Sequence, residues 1–68
     1  MVGQRIKSYL TENGIRQSFL SEKTNIPSSI MTAILNGTRK IEVMEYYRIC
    51  TALKVDMMTF IADGESEI

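Results

Sequence analysis

Apolar residues recur along this chain at helical spacing and almost nowhere at strand spacing. Val2, Ile6, Tyr9 and Leu10 stand at i, i+4, i+7 and i+8, which lines one face of an amphipathic helix over residues 2–13. Asn13-Gly14 follows as a pair suited to a left-handed stop. A second helix is predicted from about Arg16 to Thr24, anchored by Leu20 with small Ser21 beside it, and Asn25 tolerates the positive φ of a tight turn. Pro27 presets the first turn of a third helix. There Ile30, Met31, Ile34 and Leu35 share one side, Ser28, Ser29, Thr32 and Ala33 the other, and Asn36-Gly37 ends the run. A fourth stripe starts at Val43 and repeats at Tyr46, Tyr47, Cys50 and Leu53, with Ile49 widening it. Asp56 is placed to cap a fifth, short helix carrying Met57, Met58, Phe60 and Ile61. The pattern predicts an all-α bundle of five short helices over residues 1–62 and an acidic, flexible tail over 63–68.

Composition narrows what such a bundle does. At 68 residues the chain supports a single core, and its 44% apolar and 24% charged residues match an ordinary globular domain. No apolar run approaches the roughly 18 residues of a bilayer span, so no membrane is expected as a partner. With no histidine and one cysteine, there is no zinc cluster, no Cys-His pair and no internal disulfide to build. The carboxylates are scattered through caps and tail with no spacing that pairs them, so neither catalysis nor a cofactor or metal is expected. Cys50, inside the fourth stripe, reads as a buried structural thiol. Met1-Val2-Gly3-Gln4-Arg5 is followed by no apolar signal core, which makes the cytoplasm the expected compartment.

Net charge is zero, yet the charge is polarised end to end. Residues 1–40 hold six basic groups against two acids, net +4, whereas residues 41–68 hold two against six, net −4. That asymmetry suggests a polyanion at the first part and water or another protein at the second.

The stretch from Gly14 through Gln17, Leu20, Asn25 and Pro27 to Asn36-Gly37 resembles the helix-turn-helix of the phage repressor and Cro family, also called the Xre family. The Gln17-x-x-Leu20 opening and the twelve-residue step from Asn25 to Gly37 carry it. Ile49-Cys50-Thr51-Ala52-Leu53-Lys54-Val55-Asp56 and Phe60-Ile61 are similar to the family's fourth and fifth helices, so the resemblance covers nearly the whole chain. It departs where the family usually has glycine (Asn25), alanine (Ser21), a leucine-like residue (Thr24) and often glutamate (Leu35).

The resemblance implies a compact five-helix, lambda-repressor-like domain with a recognition helix, about Pro27 to Asn36, in the major groove of double-stranded DNA. Ser28, Ser29, Thr32 and Ala33 would then meet base edges, the hydroxyls as adaptable donors or acceptors and the alanine methyl against thymine. Gln17 and Arg16 at the start of the second helix, with Arg39 and Lys40 just after the third, would meet phosphates. Met57, Met58 and Ile61 exceed what a short last helix easily hides and are candidates for a homodimer interface, which would set two recognition helices about 34 Å apart on a palindromic operator. A dimeric repressor-type regulator of transcription follows, from a phage or mobile element or as a restriction-modification control protein. The rival reading is an antitoxin-like or anti-repressor module whose acidic C-terminal part binds a protein partner, with DNA binding secondary.

Overall fold

The computed structural model describes residues 2–61. Four helices run through them, α1 (Val2–Glu12), α2 (Gln17–Thr24), α3 (Ser28–Asn36) and α4 (Val43–Leu53), with no strand among the described residues. The acidic segment 63–68 lies outside the described residues.

The turns form where local backbone chemistry requires them. After α1 the chain reverses at Gly14 (φ 65°), and the Ile15 N–H reaches back to the Leu10 carbonyl at 2.9 Å, satisfying one of the helix's last acceptors. Gly37 (φ 81°) ends α3 in the same way, with Thr38 N–H on the Ala33 carbonyl at 3.0 Å. At the end of α4 the left-handed position falls on Lys54 (φ 58°), where a Cβ adds strain that glycine would not have.

Buried side chains from all four helices make one core. Val2, Ile6 and Leu10 of α1, Leu20 of α2, Met31, Ile34 and Leu35 of α3, and Tyr46, Ile49 and Cys50 of α4 line it, with Ile26, Ile41 and Phe60 from the connections. Gly3 lets α1 lie directly on the end of α3, because a Cβ there would collide with the backbone carbonyl of Ile34. Burial pushes the Cys50 thiol above its ordinary pKa, as suits a packed, unreactive group.

Two expectations about the second half need correction. The seam of α4 runs through Tyr46, Ile49 and Cys50, whereas Val43 and Tyr47 are 56% and 52% exposed. Tyr47 follows Tyr46 by one residue and therefore points about 100° away from it on the helix, outside the buried seam.

No fifth helix forms among the described residues, and residues 57–60 form hydrogen-bonded turns. Asp56 does cap this segment, its Oδ1 accepting the Met58 N–H at 2.8 Å. In an α-helix the Met57 carbonyl would accept from Ile61. Here it accepts the Tyr46 hydroxyl, and Ile61 N–H turns to Met58 at 3.2 Å, so the spacing is i to i+3. Phe60 then enters the core edge-on to Tyr9 and Tyr46, at ring-centroid distances of 5.5 and 6.4 Å. Burial, joined by the hydrogen bond with Cys50, raises the Tyr46 phenol to about 12.

Candidate nucleic-acid interface

α2 and α3 are joined by a three-residue turn, Asn25-Ile26-Pro27, whose geometry is set by Asn25 at φ 60°. Asparagine accepts this left-handed conformation better than most residues, so the usual glycine is not required. Thr24, at a leucine-like position, is buried, and its hydroxyl donates to the Leu20 carbonyl at 2.7 Å, so its polarity is satisfied inside its own helix. Ser21 fares worse: its Oγ is buried with no hydrogen-bond partner among the described residues. Leu35 is fully core.

The turn aims α3 so that its apolar side faces the core. Met31, Ile34 and Leu35 are buried, Ile30 and Ala33 half-buried, and Ser28, Ser29 and Thr32 exposed. The structure therefore brings Ser28, Ser29, Thr32 and Ala33 together on one outward surface. Gln17, the first residue of α2, is half-buried beside it, and its Nε2 donates to Thr32 Oγ1 at 2.6 Å. This contact ties the start of α2 to the middle of α3. The Thr32 hydroxyl donates in turn to the Ser28 carbonyl at 2.9 Å.

The four residues expected at phosphates are placed unequally. Arg16 is exposed immediately before the free N–H groups of α2, and Lys40 is exposed after α3. Arg39 is different: its Nη1 donates to both carboxylate oxygens of Glu45, at 2.8 and 2.9 Å, and Glu42 stands 3.9 Å from its Nη2. This fork holds the guanidinium proton more tightly than usual. Burial pushes the Glu45 carboxyl up, but the Arg39 hydrogen bond, the Glu42 N–H at 2.9 Å and the charges of Arg39 and Arg48 together bring it below its ordinary range. Glu45 thus closes the start of α4 as half of a capping box while it holds Arg39. Sequence reasoning missed Glu45 altogether. The available signal was a glutamate three residues after a helix start, next to a basic loop.

Other cations near α3 have partners as well. Lys7 donates to Asn36 Oδ1 at 3.2 Å, and Lys23 sits 5.8 Å from the centre of the Phe19 ring. Of the residues assigned to a dimer interface, Met57 and Met58 are exposed and Ile61 is half-buried. No helix among the described residues is long and apolar enough to cross a membrane.

Two helices joined by a left-handed turn, the second showing a polar face beside the N-terminus of the first, define a helix-turn-helix of the DNA-binding kind. The family model of the Cro/C1-type HTH DNA-binding domain matches residues 5–63, and the chain belongs to that family. Neither a curated protein nor a solved structure gives a significant match.

Proposed function

We propose that this protein is a sequence-specific, dimeric regulator of transcription of the repressor type, in a phage or mobile element or as the control protein of a restriction-modification system. It acts by binding in the cytoplasm, without chemistry of its own. The observation that carries the reading is the outward surface of α3, where Ser28, Ser29 and Thr32 stand exposed opposite the buried Met31, Ile34 and Leu35. Short hydroxyl side chains reach base edges only when the helix lies deep in the major groove, and Arg16 and Lys40 on either side of it would hold phosphates at that depth. Without an Arg, Asn or Gln on the face itself, direct readout is modest and DNA shape contributes. Met57, Met58 and Ile61 supply the two-fold contact.

Selection of bound duplexes from a randomised pool tests this. An inverted repeat with half-sites about 10 base pairs apart, lost in the Ser28→Ala/Ser29→Ala double variant, is the expected result. A second reading, an antitoxin-like or anti-repressor module with a protein partner, is favoured by the exposed Val43, Met44 and Tyr47 of α4 within the acidic part of the chain. A pool in which nothing is enriched, together with a stable complex with a basic protein, would replace the first reading by the second.

A further inference from the structure

The three hydroxyls on the outward face of α3 are not equivalent. Ser28 and Ser29 are exposed and have no side-chain hydrogen bond within the described residues, so each turns freely between donor and acceptor. Thr32 is held at both ends. A hydroxyl has one proton and two lone pairs; the Thr32 proton lies on the Ser28 carbonyl at 2.9 Å, and one lone pair receives the Gln17 amide at 2.6 Å. Only a single lone pair remains, on an exposed residue at the centre of the face.

We propose that Thr32 is the specificity-determining residue of this face: held as an acceptor, it favours a base with an amino group, adenine or cytosine, at one position of each half-site. Gln17 is the positioning residue that fixes this polarity. In the major groove adenine N6 and cytosine N4 offer protons, while guanine (N7, O6) and thymine (O4) offer lone pairs. A guanine or thymine edge would face Thr32 acceptor to acceptor. Turning the Thr32 proton toward such an edge gives up the Ser28 carbonyl, so a guanine or thymine contact costs a hydrogen bond that an adenine or cytosine contact keeps. Ser28 and Ser29 adapt to either class of base, so the discrimination falls at Thr32.

This inference rests on the proposal that α3 reads DNA, and its test separates the two. Duplexes are selected from a randomised pool by the wild type, Thr32→Val and Thr32→Ser, with circular dichroism to confirm that each folds. The wild type is expected to prefer adenine or cytosine over guanine or thymine about five-fold at one position, the worth of one hydrogen bond. Thr32→Val, of the same shape but without the hydroxyl, loses that preference there and keeps the rest of the motif, and Thr32→Ser retains it. A preference unchanged in Thr32→Val, or a guanine or thymine preference that Thr32→Val abolishes, overturns the assignment of Thr32 and leaves DNA reading by α3 standing. A wild type that enriches no sequence overturns both.

Discussion

On one side of α3 the chain turns through neutral contacts, and on the other it turns through an ion pair. The α2–α3 turn is held by Asn25 in the left-handed region, the Thr24 hydroxyl on its own helix and the Gln17 amide on Thr32. The α3–α4 turn has Gly37 and then the fork of Arg39 on Glu45. The difference decides which groups are left for a partner. Neutral contacts on the first side leave Arg16 outside them, with polar side chains pointing outward. The second side contains two basic residues in the sequence, but Glu45 already holds the Arg39 guanidinium, and Lys40 is the cation left outside the fork. Counting charges along the chain therefore overstates the positive field beyond α3.

The largest effect that would break this contrast comes from beneath the second turn. Gly3→Ala forces a methyl against the Ile34 carbonyl, a backbone atom that cannot swing aside, and should cost about 3 kcal/mol, read as a lowered midpoint in thermal or urea unfolding. An unchanged midpoint would mean that α1 does not press on the end of α3 as described.

Glu45→Gln sharpens the contrast by dissolving the ion pair. Arg39 is freed toward phosphate, and affinity for duplex DNA at low salt should rise about three-fold with a steeper salt dependence, measured by fluorescence anisotropy. The pH dependence follows from the same group. The folded Glu45 carboxyl titrates below its unfolded value of about 4.3, so the fork's stabilisation is complete above that pH and is lost as the pH falls through the lower folded value. Glu45→Gln should lack this acid-side loss.

The smallest effect lies on the neutral side. Ser21→Ala removes a buried oxygen with no hydrogen-bond partner among the described residues and should stabilise the fold by about 1 kcal/mol, without altering DNA binding.

Much of this architecture was legible where a single helix decides the outcome. The stripe Val2, Ile6, Leu10 and the glycines at 14 and 37 locate α1, α3 and their ends from spacing and backbone chemistry alone. Asn25 was legible for the same reason. What escaped involves pairs of elements. Val43 and Tyr47 belong to a plausible stripe, but which side of α4 is covered depends on where α2 lies. In place of a fifth helix the segment after Asp56 forms turns spaced i to i+3, while Tyr46, eleven residues earlier, donates to the Met57 carbonyl. The Arg39–Glu45 fork joins a loop to the first turn of the next helix, and no periodicity links such positions. At the candidate interface the four outward residues of α3 were readable from helical phase, whereas the polarity of Thr32 came only with the contact to Gln17.

The most direct test of the outward face of α3 as the DNA-reading surface is amide chemical-shift mapping of the isotope-labelled protein against a short duplex at low salt. Perturbations are expected at Arg16, Gln17, Ser28, Ser29, Thr32, Ala33 and Lys40, with the exposed Val43, Met44 and Tyr47 undisturbed. Shifts confined to those three α4 residues, or no shifts at all, would contradict DNA reading by α3.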